Sequence, residues 1–192
     1  CYCSVDQSPQ SYCSPANGVL STSDMKTWEW SSASFISAGP GDMLPDNDRV
    51  LYAPDGQYRD GKYYLYFCQP GRIAPGVAVG TSPTGPFAEP GFLNVGPYPQ
   101  IDPSVFIDDD GQAYFMWGQF DLKIARLNPD MRTLDSSSIQ DKVLTEKDHF
   151  FHEGAYMTKR NGLYYLVFAD VSRAGRPTCL GYATSQSPMG PY

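Results

Sequence analysis

Asp60-Gly61-Lys62-Tyr63-Tyr64-Leu65-Tyr66-Phe67 joins a turn dipeptide to an aromatic, strand-like run, and the chain repeats that pairing twice more. Asp110-Gly111-Gln112-Ala113-Tyr114-Phe115-Met116-Trp117 is the second instance, and Asn161-Gly162-Leu163-Tyr164-Tyr165-Leu166-Val167-Phe168 is the third. The glycines Gly61, Gly111 and Gly162 are spaced by 50 and 51 residues. Asp-Gly and Asn-Gly suit two-residue hairpins, because such turns need positive φ at both central positions and these residues tolerate it. A fixed period of this length reads as one supersecondary unit used repeatedly.

A second piece recurs behind each run. Gly76-Val77-Ala78-Val79-Gly80-Thr81-Ser82-Pro83-Thr84-Gly85-Pro86-Phe87 closely matches Gly181-Tyr182-Ala183-Thr184-Ser185-Gln186-Ser187-Pro188-Met189-Gly190-Pro191-Tyr192. Looser matches start at Gly18 and at Lys123. The unit therefore reads strand, hairpin, strand, loop, strand and closing turn, in four copies of which the first and last are partial. No stretch shows a convincing helical apolar stripe. Many short strands at this period point to an all-β fold, a β-propeller of four-stranded blades. A sandwich explains the short strands but not the spacing. Copy one lacks its opening strand and turn, and copy four stops after its third strand. The expectation is one partial propeller domain over residues 1–192: part of blade one, blades two and three, and part of blade four.

Composition narrows the function. The 192 residues carry 14 basic and 21 acidic side chains, a net charge of −7. Phosphate binding needs a basic face, so a nucleic-acid partner is not expected. No apolar run reaches the ~18–20 residues that span a bilayer, so no membrane partner is expected either. The five cysteines, Cys1, Cys3, Cys13, Cys68 and Cys179, form no zinc-like pair. Free thiols, or one disulfide involving Cys13, both fit an odd count. Cys1 and Cys3 should point the same way along a strand.

Nine residues upstream of Gly111 and Gly162 stand Asp102 and Glu153, one repeat apart. Each precedes a mainly apolar run that reads as the innermost strand of its blade, and innermost strands line the propeller channel. Carboxylates gathered in one funnel repel, so one proton is held more tightly than the other. Glycoside hydrolysis uses such a pair, together with aromatics that hold sugar faces. The plain alternative is that both acids only cap strand starts. In copy two the equivalent position is Tyr52, followed by Ala53, Pro54 and Asp55.

At these residues the sequence resembles glycoside hydrolase family 43, the five-bladed propeller glycosidases of arabinose- and xylose-containing polysaccharides. The motifs are Tyr52-Ala53-Pro54-Asp55, Ile101-Asp102-Pro103-Ser104-Val105-Phe106-Ile107 with Asp108-Asp109-Asp110-Gly111, and Phe151-His152-Glu153-Gly154-Ala155. The resemblance implies a hydrolase that inverts at terminal α-L-arabinofuranosyl or β-D-xylosyl linkages of hemicellulose or arabinan. Glu153 looks like the general acid and Asp102 like the residue that tunes and orients it. The family's general base is an aspartate on the first inner strand, expected before Cys1, and Asp6 is a poor substitute. Such a fragment is expected to fold poorly and to be inactive alone. The expected partner is a plant cell-wall oligo- or polysaccharide. A non-catalytic carbohydrate-binding propeller is the rival reading.

Tyr52, Asp55, His152 and Trp117 are candidate substrate contacts. For His152 the choice is between reaching the sugar and setting the acid's proton affinity. For Trp117 it is between rim contact and core packing. Asp55 either lines the rim or caps its strand. The Asp108-Asp109-Asp110-Gly111 run reads as a turn and lacks the ligand pattern of an EF-hand calcium loop. No cofactor is required and no metal ligands are assigned; a structural calcium is left open without a motif. The loop Ser172-Arg173-Ala174-Gly175-Arg176 reads as solvated, with a substrate-facing arginine as the alternative.

Overall fold

The computed structural model describes residues 1–5, 13–44, 46–72, 74–174 and 179–192. Asp6, Gly175 and Arg176 lie outside the described residues. The chain forms two compact units, residues 1–92 and residues 93–192. Among the described residues nearly all regular structure is strand, arranged as four antiparallel sheets.

The first unit holds two sheets. Strands β1 (Tyr2–Ser4), β2 (Ala16–Ser21) and β3 (Glu29–Ile36) form one, in chain order. The other is the full meander β4 (Tyr52–Arg59), β5 (Lys62–Cys68), β6 (Gly76–Gly80) and β7 (Ala88–Phe92). Phe35, Leu44, Leu51, Leu65, Phe67, Ala78 and Phe87 make its core. At Gly76 a β-carbon would stand 2.1 Å from the Phe67 ring, so glycine there lets the aromatic cross the neighbouring strand. The sulfurs of Cys1 and Cys3 lie 4.0 Å apart on the same side of β1, and all five cysteines are free thiols.

The second unit repeats the pattern. Strands β8 (Ser104–Ile107), β9 (Ala113–Trp117) and β10 (Lys123–Leu127) form its first sheet. A one-turn helix, α1 (Glu146–His149), leads into β11 (Phe151–Arg160), β12 (Leu163–Asp170) and β13 (Cys179–Ser185), its second sheet. Tyr114, Met116, Ile124, Phe151, Met157, Leu166 and Phe168 are among its core residues. Strands β5 and β9 are apolar almost throughout because both their faces are covered, while β12 alternates as a half-buried strand does.

Copy three has its three strands, and isolated bridges, Leu127 to Leu134 and Ile124 to Gln140, make its outer edge in place of a regular fourth strand. One expectation needs correction, because the Asp110-Gly111 turn is not a two-residue hairpin. Asp60 and Gly61 both have positive φ, as do Asn161 and Gly162, but Asp110 does not. This turn runs from Asp108 to Gln112 and is closed by Asp108 N–H donating to Gln112 O at 2.9 Å.

The residue that opens this turn is tied to the next repeat. Asp108 accepts from Lys159 Nζ at 2.7 Å and from the Tyr164 hydroxyl, both on the β11–β12 hairpin of the next repeat. Its side chain is only 7% exposed. Burial pushes the Asp108 carboxyl up, but the bonds from Lys159 and Tyr164 outweigh it and hold the group below the usual range. A depressed carboxylate adds stability that is present above the unfolded-state value and is lost as pH falls through the folded one. Asp108→Ala is therefore expected to destabilise the protein by about 1–2 kcal/mol at neutral pH. Urea titrations should show the gap to wild type shrinking as pH drops below about 4.

Candidate active site

Asp102 sits in the turn that feeds β8, with φ of +50°. Short polar side chains reach this left-handed region more readily than others. The turn is anchored by Gly118 N–H, which donates to Ile101 O at 3.0 Å. Across from it, β11 is irregular. The pairing of β11 with β12 slips between Phe151 and Glu153, and again between Glu153 and Tyr156. Gly154, inside that irregular stretch, has φ of +66°. A bulge of this kind breaks strict alternation and re-aims side chains. His152-Glu153-Gly154 is thus a segment whose glycine is needed for its backbone conformation.

The bulge and the turn are bonded together, because the Gly154 N–H donates to the Asp102 carboxylate. Glu153 lies close enough to act on Asp102 through its charge. Burial first, and the Glu153 charge second, push the Asp102 carboxyl up to about 6, while the Gly154 bond and the charge of His152 oppose the rise. Glu153 itself accepts from Gln119 Nε2 at 2.7 Å through Oε2. His152 Nδ1 stands 2.5 Å from Glu146 Oε2, and its ring meets the Phe120 ring edge-on at 5.3 Å.

The structure thus brings Asp102, His152 and Glu153 together. Trp117 is not part of this group. Its side chain is fully buried in β9, so the expected substrate contact is corrected to a core role. Phe120, three residues on, is half exposed. Tyr52 and Asp55 belong to the first unit. Tyr52 opens β4 opposite Cys68, and its phenol is pushed up by a bond with Cys13 and by burial. Asp55 pairs with Tyr66 beyond a bulge, and Ala53 within that bulge has φ of +35°. Burial, Tyr63 and the Asp55 charge push the Tyr2 phenol up to about 12, and its hydroxyl donates to Pro83 O at 2.8 Å. No group of three or more His, Cys, Asp or Glu among the described residues is placed to hold a metal ion. No helix among them is long and apolar enough to cross a membrane.

Sequence reasoning missed Gln119, Phe120 and Glu146. Gln119 and Phe120 adjoin Gly118, whose φ of +125° marks a sharp turn where a β-carbon would strike Asp121 O. Glu146 carried no signal of its own, since it lies in an exposed polar stretch.

Antiparallel meanders repeated at this period are the blades of the β-propeller class. A sequence model described as glycosyl hydrolases family 43 matches residues 4–192, and the chain belongs to that family. It is 32% identical to xylosidase/arabinosidase 43A of Humicola insolens, over 78% of this chain and 58% of that protein. It is also 32% identical to the arabinoxylan arabinofuranohydrolase of Bacillus subtilis, over 91% of this chain and 40% of that protein. Among solved structures, an alpha-L-arabinofuranosidase from Clostridium thermocellum superposes with a TM-score of 0.73 at 31% identity, covering 97% of this chain and 64% of that one. The chain spans about half the length of these curated relatives.

The raised Asp102 value has a consequence for stability. A carboxyl whose folded-state value lies above its unfolded one binds more protons when folded. Stability therefore falls as pH rises from about 4 to about 6, and the cost persists above that. Asp102→Asn keeps an oxygen for the Gly154 N–H and removes the charge. It is expected to stabilise the protein by about 1–3 kcal/mol at pH 8. At pH 4 it should do almost nothing, as urea denaturation at the two pH values would show.

Proposed function

We propose that the protein is a glycoside hydrolase that removes terminal α-L-arabinofuranosyl or β-D-xylosyl units from plant cell-wall polysaccharide with inversion at the anomeric carbon. The observation that carries this reading is the Asp102–Glu153 pair, two carboxylates on successive repeats of which one is driven up by burial and by the other. Asp102 therefore retains its proton into the pH range where an isolated carboxyl has lost it.

Glu153 is assigned as the general acid. Gln119 donates to its Oε2, which leaves Oε1 as the oxygen that carries the proton to the leaving group. Asp102, held by Gly154 and facing Glu153, is assigned as the residue that orients that acid. The general base belongs to the inner strand of the first blade in a complete five-bladed propeller. An inverting site leaves ~6.5–9.5 Å between acid and base for the attacking water. Phe120 offers an exposed apolar ring beside His152, of the kind that packs on sugar faces. The printed names of the relatives, xylosidase, arabinosidase and arabinoxylan arabinofuranohydrolase, agree with this substrate class.

In the protein carrying the complete propeller, Glu153→Gln should lower kcat on xylo- or arabino-oligosaccharides by about 10²–10⁴-fold. Aryl glycosides with good leaving groups should be much less affected, since their departure needs little protonation. Undiminished turnover of oligosaccharides would remove Glu153 from the acid role, and a propeller that only binds carbohydrate would show no turnover before or after the change. Proton NMR of the first product formed should show the inverted anomer; a retained anomer would exclude the inverting mechanism.

A further inference from the structure

His152 is supported more completely than a side chain on an ordinary strand requires. Its Nδ1 meets Glu146 Oε2, and Glu146 opens α1. Thr145 caps that helix, its side chain accepting from Asp148 N–H. Phe120 joins the two partners from the loop after Gly118. Its N–H donates to His152 O at 2.8 Å, and its own carbonyl accepts from Glu146 N–H at 2.7 Å. Its ring lies against the imidazole at an interplanar angle of 75°. Phe120 does this from φ of +65°, a left-handed conformation that costs a non-glycine residue about 1 kcal/mol or more. One strained residue thus fixes the backbone of both members of a side-chain pair and the plane of one of them.

The chemistry of the pair sets the imidazole's proton. An ionised carboxylate only accepts, so the ring nitrogen that faces it carries hydrogen in both charge states. In the neutral ring the other nitrogen is then a lone-pair acceptor. Free histidine favours the opposite tautomer, with hydrogen on Nε2. The charge of His152 acts on Asp102, so the imidazole belongs to the same electrostatic neighbourhood as the carboxylate pair.

We propose that Glu146 is a positioning residue for His152: it holds the ring as the Nδ1–H tautomer, so that neutral His152 presents Nε2 as an acceptor for a sugar hydroxyl next to Glu153. The inference rests on the reading of Glu153 as the acid of a glycoside hydrolase. The ionisable groups around the imidazole are Glu146 from α1, Asp102 from the turn before β8 and Glu153 on its own strand. Phe120 and Gln119 face the site from the β9–β10 loop without charge.

Long-range proton–nitrogen correlation spectra of the ¹⁵N-labelled protein, taken where the ring is neutral, test this. The protein should carry its complete propeller, and the His152 signals are assigned by their loss in His152→Asn. Wild type should show the Nδ1–H tautomer and Glu146→Ala mainly the Nε2–H form. Losing one oriented hydrogen bond should lower kcat/KM on an oligosaccharide about tenfold in Glu146→Ala. Glu146→Gln, whose amide oxygen still accepts from Nδ1–H, should recover most of it. An Nε2–H tautomer in wild type overturns the proposal, and so does an unchanged tautomer in Glu146→Ala. The wild-type spectrum decides even if the alanine variant fails to fold. If Glu153→Gln keeps its turnover, the acid assignment falls, while the tautomer still reports on Glu146 and His152.

Discussion

The bond from Gly154 N–H to the Asp102 carboxylate is the interaction on which the candidate site depends. It joins a turn to a bulge, two backbone segments that regular pairing would keep independent. Neither segment is comfortable alone, because Asp102 is left-handed ahead of a proline and Gly154 is left-handed inside a strand. The bond also sets an electrostatic balance. It lowers the proton affinity of Asp102, burial and Glu153 raise it, and the net result holds Asp102 at about 6, above the usual carboxylate range. A side chain added at Gly154 would find space, its nearest neighbour being Asp102 Oδ2 at 3.9 Å. The requirement for glycine is therefore one of φ and not of room, and it bears on the aim of Glu153.

Around that bond the repeat supplies rigidity. Each carboxylate stands at or near the start of an inner strand whose hairpin partner, β9 or β12, is packed into the core. The same two repeats are tied again at their far ends. Lys159 and Tyr164 on one hairpin reach Asp108 on the other, and the Phe106 ring meets Tyr164 edge-on at 6.0 Å. Strands bound at both ends hold their residues in fixed register, which is what a site built from several strands needs. Asp108 and Asp102 thus do opposite things with the same functional group. One carboxylate is held by several donors and stays ionised, while the other has a single backbone donor and Glu153 beside it and holds its proton longer.

The sequence made the repeat legible because hairpin turns and aromatic strands leave local marks. Gly61 and Gly162 are left-handed as their dipeptides require. The acids at Asp102 and Glu153 were legible for the same reason, since equal spacing maps to equal places in successive sheets. What escaped depends on burial and on contacts made across the fold. Trp117 and Phe120 lie within one short motif, and nothing local says that the larger ring packs inward while the smaller one reaches solvent. The Asp110-Gly111 dipeptide looks like its two counterparts, but its turn is longer and opens on Asp108, which is bonded to Lys159 of the next repeat. Glu146 gains its meaning only from His152, six residues on and in a different element.

That last case shows how such a site divides its work. The groups closest to the proposed chemistry, Asp102 and Glu153, are marked by the repeat because both stand nine residues before their turn glycine. The groups that orient them, Gln119, Phe120 and Glu146, come from the loop after β9 and from the helix before β11, which the repeat does not constrain. A propeller fixes the strand starts and leaves its connections free to vary in length and sequence. The spacing of the two carboxylates is then a property of the repeat, whereas the partners of Glu153 and His152 come from the connections between strands. Gln119 and Glu146 both act through a single hydrogen bond to a neighbouring side chain, at 2.7 and 2.5 Å. Neither needs to touch substrate to decide which oxygen of Glu153, or which nitrogen of His152, is left free to do so.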